Sequence, residues 1–193
     1  ARGPPFWRAG HAIVAAGGPL GVRAERMGMA HRGRLSVLAT FLKKPLKVLL
    51  HEFSENYVPA LVAGDGDVKY HLGMTYERPT PSGKRVVLSL EANPSHLEAV
   101  DPVVLGYSRA KADVLYMSKY DDILPVLIHG DASIAGQGIV YEIIQMAKLD
   151  GYKTNGTIHV VFNNQVGFTT NYLDARSSTY CTDIAKVTLS PVL

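Results

Sequence analysis

Leu124-Pro125-Val126-Leu127-Ile128-His129-Gly130-Asp131-Ala132-Ser133 begins as an apolar run of strand length and breaks abruptly at His-Gly-Asp. A segment dotted with Gly136 and Gly138 follows and leads into a helical pattern. A second apolar run, Ile158-His159-Val160-Val161-Phe162, then ends in Asn163-Asn164-Gln165. Neither run alternates cleanly, so both suit strands buried on two faces. Strand, helix, strand therefore predicts an α/β fold with a parallel sheet flanked by helices. In such a sheet, ligands gather beyond the carboxyl ends of the strands. Two neighbouring strands that finish in hard oxygen donors mark that edge as a place for a metal ion and a phosphate.

A Mg²⁺ or Ca²⁺ that bridges a diphosphate wants oxygen ligands: a carboxylate, an amide carbonyl, a main-chain carbonyl, phosphate oxygens and water. Asp131 and Asn164 can supply the first two, and the Val166 carbonyl the third. Gly130 lets the chain turn sharply after its strand, and the N–H groups of the following turn can face phosphate. A lone Gly-Asp is as often a turn or a helix cap. Asn-Asn at the end of the next apolar run shifts the balance to a ligand site.

Outward from this unit, Arg85 to Leu90 reads as a short strand. Ser95 and Glu98 have the spacing of a capping box, opening a helix that runs to about Asp113, with Pro102 expected to kink or restart it. A helix is expected from about Gly138 to Leu149, with Ile139, Ile143 and Met146 inward and Gly151 as its C-cap. Leu35, Leu38, Ala39 and Leu42 predict an amphipathic helix stopped by Pro45, and Leu46, Leu49, Leu50 and Phe53 repeat the pattern. Ser54 to Gly73 reads as a long loop. Its Gly64-Asp65-Gly66 triplet has no apolar strand before it and is read as a loop, not a metal motif. Residues 1–27 show no convincing period and read as an atypical or disordered N-terminus; a targeting segment is the weaker reading, because Gly17-Gly18-Pro19 interrupts the apolar part.

The bulk numbers agree with a packed core: 193 residues, 47% hydrophobic and 19% charged. No run reaches the ~18 apolar residues of a membrane span. The lone Cys181 excludes an internal disulfide. Residues 1–50 hold nine Lys/Arg against Glu25 alone, and the rest hold eleven against sixteen acids, so the net +3 is +8 followed by −5. A basic opening suits an anionic ligand or partner. Nucleic acid is disfavoured, since no aromatic residues interleave with those cations. Lys43, Lys44 and Lys47 read as a solvated face.

His129-Gly130-Asp131-Ala132-Ser133 together with Asn163 to Thr170 resembles the thiamine diphosphate motif of the 2-oxoglutarate dehydrogenase E1 component family. Gly28-Met29-Ala30-His31-Arg32-Gly33-Arg34-Leu35, Gly66 to Gly73, Asn93 to Val103 and Ala175 to Lys186 are similar to further blocks of that family. The resemblance covers residues 28–193 and implies a partial thiamine diphosphate-binding domain, the half that holds the diphosphate and Mg²⁺. It implies that Asp131, Asn164 and the Val166 carbonyl bind Mg²⁺. Arg32, Ala132 and Ser133 would join them around the diphosphate. His31 and His71 would lie by the substrate, polarising its keto group, holding its carboxylates or shuttling protons. His96 and His129 are left between a site role and a structural one.

The implied activity is oxidative decarboxylation of 2-oxoglutarate, with transfer of the succinyl unit to a lipoyl-bearing E2 partner. A homodimer is implied for the full-length protein, in the bacterial cytoplasm or the mitochondrial matrix; neither nucleic acid nor a membrane is an expected partner. The glutamate that serves the aminopyrimidine ring belongs to a domain that no block here resembles, so the chain alone is expected to be inactive. Residues 1–27 do not resemble the family's segment and suggest a truncated or wrongly read start. Three other readings remain: a homologue preferring 2-oxoadipate, a non-catalytic α/β module that binds a phosphate, and a fragment unable to fold alone.

Overall fold

The computed structural model describes residues 5–54 and 71–193, so the Gly64-Asp65-Gly66 triplet and most of the loop expected from Ser54 lie outside the described residues. Five strands form one sheet: β1 (Ala24–Met29), β2 (Met74–Pro79), β3 (Arg85–Leu90), β4 (Ile123–Gly130) and β5 (Ile158–Phe162). Their order is β2-β3-β1-β4-β5. β3, β1, β4 and β5 run parallel, as expected. β2 is the exception, an antiparallel edge strand on β3.

The helices are α1 (Pro5–Gly17), α2 (Arg34–Ser36), α3 (Leu46–His51), α4 (Val100–Leu115), α5 (Asp131–Gly136), α6 (Gly138–Met146) and α7 (Tyr172–Ala175). α2 continues as a π-helical turn over Val37–Phe41, and a 3₁₀ segment spans Cys181–Thr188. Alternation along β4 sorts the core. Val126 and Ile128 join Val14, Leu38, Phe41 and Leu42 on one face, while Leu127 joins Val100, Val104 and Ile143 on the other. The result is three layers, with α4 and α6 opposite α1 and α2. Gly28 sets the closeness of α4: a Cβ there would stand 2.8 Å from Val104 Cγ2 and 3.1 Å from Leu127 Cδ2.

Several expectations are corrected. Residues 5–17 are helical and residues 24–27 open the central strand, where an irregular start was expected. β1 escaped the sequence pattern because Glu25 and Arg26 interrupt its apolar run. Both are buried, and a tertiary partner compensates Arg26, which pairs with Glu91 and lies 5.7 Å from the Tyr107 ring. The face of α2 and its π turn is Arg34, Val37, Leu38, Phe41 and Leu42, with Leu35 and Ala39 only partly buried. In α3 only Leu49 is buried, while Leu46 and Leu50 are exposed. Lys44 is not on a solvated face; it is buried and holds Glu52 Oε1 at 2.6 Å.

No capping box forms at Ser95. α4 begins later, at Val100, and Glu98 sits at φ 65, outside the helix. Pro102 does not kink α4, because it lies in the first turn, where no intrahelical N–H bond is missed. α6 ends at Met146 and is capped by Ala147 rather than by Gly151.

Candidate functional site

β4 and β5 are neighbours and parallel, with Gly130 opposite Phe162. Asp131 is the residue after Gly130 and Asn164 the second after Phe162, so both emerge at the same end of adjacent strands. Over this end lies a cavity of about 710 Å³ whose lining includes His31, Arg32, Ala132, Ser133, Asn164 and Val166. Six of the eight sequence-predicted site residues therefore share one wall. The other two, Asp131 and His71, stand behind it, 1% and 5% exposed.

Each is aimed by the local chain. Asp131 opens α5, and the turn into it uses Gly130 in extended geometry. Its Oδ2 stands 3.5 Å from Arg176 Nη1, and its buried Oδ1 has no hydrogen-bond partner. An ionised carboxylate oxygen left bare in the interior is costly unless a cation completes it. Asn164 Oδ1 accepts from the Val166 N–H at 2.9 Å, which fixes the amide and leaves its second lone pair free to ligate. Gly167 lets the loop lie against α5: a Cβ there would meet Ala132 Cβ at 3.4 Å and the Thr170 carbonyl at 3.3 Å. These features fit a divalent cation with a bound phosphate.

His31 and His71 come together, ring centroids 6.4 Å apart. His71 Nε2 lies 3.5 Å from Ser95 Oγ, and Ser95 itself reaches the cavity. His31 and Arg32 are exposed at the mouth. The group that holds this corner is Arg34, which sequence reasoning passed over. It is 0% exposed and donates to three main-chain carbonyls: Leu72 at 3.0 Å, Met29 at 3.2 Å, and Glu91. One guanidinium thus ties the end of β1, the segment carrying His71 just before β2, and the residue after β3. Burial pushes its pKa down to about 10.

His129 is a strand-end tie and not a free base. Its Nδ1 lies 2.6 Å from Glu98 Oε2 and 3.7 Å from Asp101 Oδ2, and its Nε2 lies 2.9 Å from His159 Nδ1. Ser133 also hydrogen-bonds Glu98. Burial alone would raise the Glu98 pKa, but the bonds from His129 hold it below the ordinary value. Burial, and then the adjacent Glu98 carboxylate, raise that of Asp101, so Asp101 keeps its proton. Among the described residues, Glu98, Asp101 and His129 are the His/Cys/Asp/Glu group compact enough for a metal, their atoms within 4.8 Å of one another. Protons already fill it, since a contact of 2.6 Å is a hydrogen bond. His96 is exposed. The signal for Glu98 was present but pointed to a cap, and Arg176 lay unremarked inside Ala175 to Lys186.

The family model described as "Dehydrogenase E1 component" matches residues 21–193. The chain is 52% identical over 174 residues to a mitochondrial 2-oxoglutarate dehydrogenase of Dictyostelium discoideum, covering 89% of this chain and 17% of that protein. It is 55% identical over 169 residues to the mitochondrial 2-oxoglutarate dehydrogenase of Schizosaccharomyces pombe, covering 86% of this chain and 16% of that protein. With a 2-oxoglutarate dehydrogenase E1 component of Brucella ovis the identity is 48% over 190 residues, 93% of this chain and 19% of the relative. The chain thus spans less than a fifth of the length of these curated relatives. From the match over residues 21–193 and these identities, the chain belongs to the dehydrogenase E1 component family.

Proposed function

We propose that this chain supplies the diphosphate- and cation-binding part of a 2-oxoglutarate dehydrogenase E1, whose cofactor is thiamine diphosphate with Mg²⁺. The observation that carries the reading is the bare, buried Asp131 Oδ1 beneath a cavity bordered by Asn164 and Val166. Asp131, the Asn164 amide oxygen and the Val166 carbonyl hold the ion. Arg32 at the mouth, with Ala132 and Ser133 at the head of α5, takes the diphosphate. The thiazolium ring, once bound, supplies the electron sink for loss of CO₂ from a 2-keto acid.

The chain's own residues do the positioning. His31 and His71 form the substrate side, where a dicarboxylate is held by imidazole donors beside Arg32. The Glu98–His129 pair fixes β4 against the loop before α4 and so sets the height of Asp131. Transfer of the succinyl unit to a lipoyl-bearing E2, a homodimer, and a matrix or bacterial cytoplasmic setting belong to the same reading; of these, the names of two relatives support the mitochondrial setting. Among the described residues no helix is long and apolar enough to cross a membrane.

Calorimetric titration of the full chain with thiamine diphosphate tests the reading. Binding is expected with Mg²⁺, and loss of about tenfold or more without Mg²⁺ or in Asp131→Asn. Equal binding of ATP, or no dependence on Mg²⁺, would refute it in favour of a general phosphate module. The chain alone is expected to release no CO₂ from 2-oxoglutarate.

A further inference from the structure

The segment after β5 returns to the site from the side. Asn171 caps α7 by accepting from the Leu173 N–H at 3.0 Å, and α7 ends at Ala175 with Arg176 as its extended C-cap. Beyond it, Cys181 and Ile184 pack against Ile134, Val140 and Ile139 of α5 and α6. Fixed on both sides, Arg176 directs its side chain inward, 9% exposed against 2% for Asp131. The two charges meet at 3.5 Å without a hydrogen bond, and Arg176 Nε and Nη1 are buried with no partner. Asp131 Oδ1 is bare too. Buried ion pairs normally close up with every donor filled, because desolvation is otherwise not recovered. This one stays open on both sides, as a pair does when a further anion and a further cation belong between its members.

We propose that Arg176 is the built-in counter-ion of Asp131, a monovalent stand-in that a divalent cation must displace, with its unfilled N–H groups left to face phosphate oxygens. The inference rests on the metal role of Asp131 given above and extends it to a residue with no part in that reading. Without a bound ion, Arg176 is the cation that stands beside the buried Asp131 carboxylate. With one, its positive charge opposes the ion, so the site grips a bare cation weakly. A cation arriving with an anionic diphosphate turns that repulsion into attraction, and Arg176 thereby makes the site selective for the pair over the metal alone.

The test titrates the full chain with Mn²⁺ alone, free ion being read by electron paramagnetic resonance, in wild type, Arg176→Met, Arg176→Lys and Asp131→Asn. Arg176→Met is expected to bind Mn²⁺ at least fivefold more tightly than wild type, and Arg176→Lys, which keeps the charge, within twofold of it. Asp131→Asn should abolish binding. The melting temperature of Arg176→Met should lie below that of wild type without metal and converge with it at saturating Mn²⁺. If Arg176→Met does not fold, Arg176→Gln gives the same comparison. Unchanged or weaker Mn²⁺ affinity on removing the charge, with Asp131→Asn still abolishing it, would overturn the role of Arg176 and leave the metal site standing. Binding unaffected by Asp131→Asn, or absent throughout, would overturn both.

Discussion

Arg34→Met isolates the group that holds the histidine corner together. Methionine keeps the buried stem and removes the guanidinium, so three carbonyls, of Met29, Leu72 and Glu91, lose a charged donor. Hydrogen bonds to a charged group contribute about 1.5–3 kcal/mol each, about 5–9 kcal/mol for the set. Against this stands the desolvated charge itself. A pKa lowered from 12.5 to about 10 corresponds to about 3 kcal/mol of burial penalty that the substitution relieves. The net expectation is a loss of about 2–6 kcal/mol. Arg34→Lys decides whether the fork or the charge matters. Lysine keeps a buried charge yet cannot reach three carbonyls at once, so it should be no more stable than Arg34→Met. Urea melts of wild type and both variants supply the numbers. A lysine variant near wild type, or a loss below about 1 kcal/mol in Arg34→Met, would refute the clamp.

Three further outcomes are expected. Burial raises the Glu25 pKa from 4.5 to about 8, only partly offset by Arg78. The native state therefore binds the extra proton between those values, and stability falls as pH rises from 4.5 to 8, by about 3–5 kcal/mol at most. Glu25→Gln should flatten that slope in urea melts taken across the window, and an unaltered slope would refute the assignment. Glu98→Gln should destabilise the chain by about 2–4 kcal/mol, since a neutral amide cannot accept from His129 and Ser133 and also serve Asp101. Asp101→Asn, replacing an already neutral acid, should cost about 1 kcal/mol or less in the same melts. Gly73→Ala should lower the melting temperature markedly, because its Cβ would fall 2.5 Å from the Leu90 carbonyl oxygen and backbone cannot step aside.

What the sequence made legible follows the range of the interactions involved. β3, β4 and β5 are readable because their burial is satisfied by apolar side chains that announce themselves locally, as Val126, Leu127 and Ile128 do. The candidate edge is readable for a related reason: Gly-Asp alone could be a turn, but a second apolar run ending in Asn-Asn puts another oxygen donor at the same end of the neighbouring strand. β1 was hidden because the partner of Arg26 lies 65 residues away. The misreading at Glu98 has the same cause. Ser-x-x-Glu satisfies a helix start when nothing else competes, but His129, 31 residues on, offers a buried charge-assisted bond at 2.6 Å. Arg34 and Arg176 were invisible as individuals, since nothing local distinguishes a guanidinium that will be buried from one that will be solvated.

The polar groups beneath the cavity divide by whether their bonding capacity is spent. Apolar residues of similar volume would stabilise a core at least as well as buried ion pairs do, and much of the opposite face of the same sheet is built that way, from Met27, Leu38, Phe41 and Val126. Folding therefore does not call for Glu98, Asp101, His129, Asp131 and Arg176 at this end. In the first three, protons and hydrogen bonds fill nearly every position, with the exception of Asp101 Oδ2, and the unit acts as a brace between the start of α4 and the tip of β4. In the last two, Oδ1, Nε and Nη1 are all unfilled although the side chains are nearly sealed from water. A closed network is finished as it stands; the open one leaves bonding capacity of both signs for the cation and diphosphate proposed above. Departures from ordinary core construction concentrate where function is carried, and within this molecule the open pair lies under the wall shared by Asn164, Val166 and Arg32.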